Sequence, residues 1–247
     1  MTLDAIIFMS IAVGAVAFLY SSVGHAGASG YIAVMSLAEL EPKVIKPTAL
    51  MLNILVATIA TWQFARKGHF SWHLFWPFAV LAVPMAFVGG YFDLSTTAFK
   101  VIVGMVLILS AIRLITHSSD DSEATPPALS VAIPTGAGLG LLSGLTGTGG
   151  GIFLTPLLLM MRWANAKPAA AVSALFILAN SIAGLMGNFS STRQFPAFAV
   201  PLAIVAVCGG LAGSYFGSHR FPHTTINRLL AAVLLIAGAK LLLSAAA

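Results

Sequence analysis

The sequence predicts an all-α, polytopic integral membrane protein: about eight transmembrane helices, two short Gly-led broken or re-entrant segments, and two internally repeated halves. Three observations predict it. Hydrophobic residues make up 59% of the 247 positions and charged residues only 8%, with a mean hydropathy of +0.98, where a soluble domain carries about 25% charged residues. Apolar runs close to the ~20 residues that cross a hydrocarbon core recur along the chain. Two glycine-rich stretches, Gly24-His25-Ala26-Gly27-Ala28-Ser29-Gly30 and Gly147-Thr148-Gly149-Gly150-Gly151, sit about half a chain apart, and each opens an apolar segment too short to span alone.

The runs fall at Leu3 to Ser21, Val44 to Phe64, Trp72 to Phe92, Ala98 to Ile115, Leu129 to Leu145, Ala169 to Phe189, Phe198 to Gly217 and Ile226 to Leu243. The short stretches Gly27 to Ala38 and Gly150 to Trp163 remain over. The first run starts Met1-Thr2-Leu3-Asp4, without the basic region of a signal peptide, so it is expected to stay as a span. Trp62, Trp72, Trp76 and Trp163 fall near span ends, where an aromatic belt forms. The single cysteine, Cys208, is expected to pack in the core, and alone it allows no intrachain disulfide.

A net charge of +5 would point a soluble protein toward nucleic acid. Here the basic residues sit in short loops and at span ends, so membrane topology accounts for them and nucleic acid is excluded as a partner. They divide seven to five between the two faces whether the short segments cross or return, which leaves the orientation open.

The one clearly polar stretch, containing Ser118-Ser119-Asp120-Asp121-Ser122-Glu123 and Pro126-Pro127, lies near the midpoint. It divides residues 1–116, a first half, from residues 129–247, a second half, with 117–128 as linker. Similar features recur at a near-constant offset: Thr48 and Ser173 are 125 positions apart, Pro77 and Pro201 are 124 apart. If the short segments return, each half crosses four times and the repeats run parallel; if they cross, each half crosses five times and the repeats invert.

Paired Gly-interrupted segments at matching positions of two halves are the sequence mark of a transporter site built from broken helices. Three consecutive glycines, Gly149-Gly150-Gly151, weaken a helix by about 1 kcal/mol each relative to Ala, so an unwound turn and a new helix start are expected there. The free N–H groups of a helix start, with the positive end of its dipole, bind anions. The candidate substrate-binding residues are Ser22, Gly24, His25, Gly27, Ser29 and Gly30 in the first half. In the second they are Thr146, Gly147, Thr148, Gly149, Gly150 and Gly151. Ser22, His25, Ser29, Thr146 and Thr148 would be the side-chain donors, His25 either as cation or as a neutral imidazole donor. Asn53 and Asn180, buried amides in matching spans, either bond across helices or line the path with Thr48 and Ser173.

Several chemistries are not expected. No histidine has a companion set of Cys or acidic ligands, so neither a metal nor a cofactor is expected. All seven acids lie at span ends or in loops, which leaves no embedded carboxylate as proton relay. Gly147 to Gly151 lacks the Lys and Ser or Thr of an ATPase phosphate loop. No nucleophile with base and no carboxylate pair is apparent, so the protein is not expected to be an enzyme. The partners expected are a small anionic substrate and the lipid bilayer.

At these residues the chain resembles the TauE/SafE family, also called the toluene sulfonate uptake permease family, of sulfite and organosulfonate transporters. The resemblance rests on Ser22-Val23-Gly24-His25-Ala26-Gly27-Ala28-Ser29-Gly30-Tyr31, on Gly144-Leu145-Thr146-Gly147-Thr148-Gly149-Gly150-Gly151-Ile152-Phe153, and on Pro168-Ala169-Ala170-Ala171-Val172-Ser173-Ala174-Leu175-Phe176. The first cluster departs from the family's glycine run at His25 and Ser29. The resemblance implies a multi-pass protein of the bacterial inner membrane that carries small sulfur oxyanions, often outward, by alternating access. A passive anion channel, or a carrier for another small organic anion, is the alternative.

Overall fold

The computed structural model describes residues 3–22, 25–116, 124–193, 197–217 and 223–246. These residues are helical throughout apart from turns, in the order α1 (Leu3–Ser22), α2 (Ala28–Leu37), α3 (Pro42–Arg66), α4 (Trp72–Tyr91), α5 (Thr96–Thr116), α6 (Leu129–Thr146), α7 (Gly151–Met160), α8 (Ala166–Thr192), α9 (Ala199–Gly217) and α10 (His223–Ala246). The expected runs and the two short segments are all helices; the polar linker lies largely outside the described residues. Among these helices, Pro42–Arg66, Trp72–Tyr91, Leu129–Thr146 and Lys167–Thr192 are long and apolar enough to cross a membrane. Residues such as Phe8, Ile204 and Leu243 turn outward and are more than two-thirds exposed, as hydrocarbon-facing side chains are. Trp62 and Trp72 are exposed at the end of α3 and the start of α4, with the Arg66 guanidinium 4.7 Å above the Trp62 ring.

Between membrane helices apolar burial drives little, since lipid tails are as apolar as leucine; small residues that let backbones touch supply the packing. Gly136, Gly140 and Gly144 of α6 lie directly on the carbonyls of Phe78, Ala82 and Ala86 of α4. That constant register runs the two helices in the same direction. In the same way Gly209 and Gly213 of α9 lie on the carbonyls of Gly14 and Phe18 of α1, again in the same direction. The N-terminal halves of α4 and α8 share one apolar cluster, with Phe78, Ala82, Val172 and Phe176 buried in it. Further along, Gly90 meets Gly184, so α4 and α8 also run together.

Two other pairs behave differently. Leu50 of α3 lies against Gly184 of α8 while Asn53 bonds to Ser181, so these helices run in opposite directions. On α5 and α10, Gly104 and Gly238 face each other, each carbonyl close to the other glycine. Among the described residues one cation is buried in this frame. Lys46, 4% exposed near the start of α3, donates from Nζ to the carbonyls of Gly90 and Phe92, both at 2.8 Å, and of Gly89 at 3.3 Å. It satisfies carbonyls that the end of α4 leaves without intrahelical donors, and the Asp93 carboxylate is 4.0 Å away. The bond ties the start of α3 to the end of α4, whose far ends are joined by residues 67–71, so the two helices are antiparallel.

Cys208 departs from expectation. It sits on the exposed face of α9, because the buried side of that helix is taken by its neighbours Ala206 and Leu202 and by the glycines that meet α1.

Candidate functional site

The two glycine clusters, far apart in sequence, meet in space. A small cavity is lined by Tyr20 of α1, by His25, Ala26, Gly27, Ala28 and Ser29 from the first cluster, by Thr148 from the second and Ile152 just after it, and by Asn53 and Ile177 from α3 and α8. Each cluster ends as expected in a new helix. Gly27 (φ 96°) caps α2 and Gly150 (φ 81°) caps α7, both left-handed, a conformation that suits glycine and strains other residues. Neither cap carries a side-chain oxygen on the helix. The first-turn N–H groups, which lack intrahelical acceptors, are therefore not taken by a capping side chain. Two helix N-termini, each with the positive end of its dipole, wall one cavity.

The candidate residues divide between lining and packing. Gly27, Ser29, His25, Asn53 and Thr148 line the cavity. Gly149 has no room for a Cβ, which would fall 2.6 Å from Asn53 Nδ2 and 2.9 Å from Ser181 Oγ. A Cβ on Gly150 would fall 2.9 Å from the Phe176 ring, and one on Gly151 would collide with Ile177. Gly147 is pressed on the backbone of Lys46, and Gly30 on Val16 and Tyr20. Backbone or side chains leave little or no room for a Cβ at these glycines. Gly24 and the side chain of Ser22 lie outside the described residues. Asn180 does not line the cavity; it is fully buried on α8, and both atoms of its amide lack a partner.

The hydroxyls are largely spent on one another. Ser29 Oγ and the Tyr20 hydroxyl are 2.7 Å apart. Thr146 Oγ1 donates to the Leu142 carbonyl at 2.6 Å and lies 3.0 Å from Thr148 Oγ1. Asn53 is spent on one side only. Its Nδ2 donates to the Thr148 carbonyl at 3.3 Å and to Ser181 Oγ at 3.4 Å, while Oδ1 is buried without a partner. Ala28 and Ile152, in the first turns of α2 and α7, bring backbone N–H groups to the same cavity wall.

Tyr20, Ile152 and Ile177 are wall residues that the sequence reading did not single out. Tyr20 carried a readable signal, a phenol two positions before Ser22 at the end of an apolar run. The isoleucines carried none, since apolar periodicity does not say which partner a side chain meets. The cavity measures about 10 Å³, room for about one water. A second cavity of about 550 Å³ opens at the other end of α2, lined in part by Glu39, Lys43, Lys100 and Lys240. Lys240 there bonds Glu39 at 3.1 Å. No group of three potential metal ligands occurs among the described residues.

Apolar helices packed through glycine, with two helix starts meeting at one small cavity, fit a multi-pass membrane transporter. The chain belongs to the sulfite exporter TauE/SafE family, whose pattern it matches over residues 9–241. It is 39% identical over 240 residues to a protein of Sinorhizobium fredii named as a probable membrane transporter, covering 95% of this chain and 97% of that one. It is 26% identical over 151 residues to a probable membrane transporter of Methanocaldococcus jannaschii, covering 60% of this chain and 56% of that one. No solved structure matches it.

Proposed function

We propose that the protein carries a small sulfur oxyanion, such as sulfite or an organosulfonate, outward across the bacterial inner membrane. The observation that carries this reading is the convergence of the α2 and α7 N-termini on one cavity. Uncapped N–H groups and two positive dipole ends favour an anion, and among the described residues no acidic side chain lines the cavity to oppose it. A cell interior that is negative drives an anion out by about 2.3 kcal/mol per charge per 100 mV, so export needs no coupling ion. A cavity of only about 10 Å³ at the two helix starts supports a closed carrier state over an open pore.

The transport cycle on this reading is alternating access between two inverted halves. Matching α1 through α5 to α6 through α10 in order makes the pairing of α1 with α9 the counterpart of α6 with α4. Both pairs run in the same direction, while α3 and its counterpart α8 run in opposite directions. A two-fold axis in the membrane plane accounts for both facts, and an axis along the membrane normal would make α3 and α8 parallel. Each half then crosses five times, with α2 and α7 as its short crossings.

The test is export from proteoliposomes loaded with labelled sulfite under an imposed potential. Saturable flux that rises with internal negative potential is expected. Flux that stays linear with concentration and voltage would assign a channel instead, and absence of flux from folded protein would remove sulfite as substrate.

A further inference from the structure

Asn53 is a wall residue of the cavity whose hydrogen bonding is incomplete. The amide is fully buried. Its two N–H protons match two acceptors, the Thr148 carbonyl and Ser181 Oγ. Rotating the amide by a half turn would set Oδ1 against the Thr148 carbonyl, two acceptors face to face, so the assignment is dictated by the neighbours. The atom left over is an acceptor, Oδ1, buried and unpartnered. A buried acceptor without a donor is a desolvation cost that a ligand can remove.

From this, and resting on the anion reading given above, we propose that the cavity selects monoanions that also carry a hydrogen-bond donor, with Asn53 Oδ1 receiving that donor. A ligand of this class sets its negative oxygens toward the N–H groups that open α2 and α7. Its own O–H points to Asn53. Hydroxy-substituted sulfonates and singly protonated oxyanions fit. Plain alkyl sulfonates and fully deprotonated dianions present only acceptors, and they leave Oδ1 facing an oxygen or nothing. Sites built to bond a ligand hydroxyl reject the analogue that lacks it far more strongly than apolar pockets reject a change of size. A cavity of about 10 Å³ has room for about one water, so on this proposal binding includes outward movement of a wall.

The experiment uses the full protein in proteoliposomes and compares two competitors of labelled sulfite flux. Ethanesulfonate and 2-hydroxyethanesulfonate carry the same charge and differ by one hydroxyl. The hydroxylated compound is expected to inhibit at a concentration at least tenfold lower. Equal inhibition by the two would overturn the donor requirement and leave the anion reading intact. Sulfite flux that neither compound affects would overturn it as well. Loss of all sulfite flux in folded wild-type protein would instead defeat the underlying reading, and the proposal with it. A second arm uses Asn53→Ala, with folding checked by its melting transition: the preference for the hydroxylated compound is expected to shrink to less than twofold. Full retention of the preference in that variant would assign the donor's partner elsewhere.

Discussion

The side-chain amide of Asn53, midway along α3, donates to the main-chain carbonyl of Thr148 in the glycine turn before α7. A side chain of the first half thereby holds the turn that starts a helix of the second. The bond depends on Gly149, where any Cβ would push the Asn53 amide away. Asn53 thereby fixes the second glycine cluster beside the first, and the wall of the cavity is built from residues far apart in the chain.

Asn53→Ala is expected to remove that coupling. Losing the amide leaves the Thr148 carbonyl without its donor, a cost of about 1–3 kcal/mol for a buried group, and frees the turn before α7. Sulfite flux in proteoliposomes is expected to fall several-fold, to a level at which competition is still readable, while the protein still purifies as a folded species. Flux within twofold of wild type would show that the turn holds itself.

Gly150→Ala sets a side chain on a left-handed residue and 2.9 Å from the Phe176 ring. The conformational strain alone is about 1–2 kcal/mol, and the start of α7 must shift. A lower melting temperature and lost flux are expected. Gly138→Ala, on α6 with nothing within 4 Å of the new atom, is the matched control and should leave melting unchanged or slightly raised.

Gly140→Val tests the packing of α4 on α6. The glycine lies on the Ala82 carbonyl, so larger side chains force the helices apart, at about 1–3 kcal/mol for an overpacked contact. Thermal unfolding in detergent is expected to move to lower temperature. An unshifted transition would mean that the close approach contributes little.

Lys46→Met keeps the length of the side chain and removes its charge. The carbonyls of Gly90 and Phe92 lose their shared donor, and destabilisation of about 1–3 kcal/mol is expected. Melting curves of the variant and wild type report it directly.

How much of this was legible beforehand differs by residue. The turn at Gly147 to Gly151 was readable because consecutive glycines are costly inside a helix, and the structure uses them where backbone and side chains leave no room for a Cβ. The start of α7 was readable for the same reason, and that of α2 from the glycine-rich stretch that opens a matching short apolar segment. That they meet at one cavity was not, since offset and composition carry no information on three-dimensional approach. Lys46 reads in sequence as one more cation near a span end, and only the position of the α4 carbonyls makes it a buried cap. Thr146 and Thr148 read as donors to a ligand, yet their hydroxyls face each other. Asn53 and Asn180 read alike and differ in place: one lines the cavity, while the other is buried on α8 with its amide unpartnered.

His25 lines the cavity beside the start of α2. His25→Ala is expected to weaken anion binding, read as a several-fold rise in the sulfite concentration for half-maximal flux. Unchanged concentration dependence would remove the imidazole from the site and leave the backbone N–H groups alone there.

The most direct test of the central claim is to locate the anion. Crystals of the protein soaked with selenite, an oxyanion with a strong anomalous signal, are expected to show one selenium peak between the first turns of α2 and α7, within reach of the Ala28 and Ile152 N–H groups. A peak confined to the lysine-lined outer cavity, or none at the glycine turns at saturating selenite, would contradict the claim that these two helix starts bind the anion.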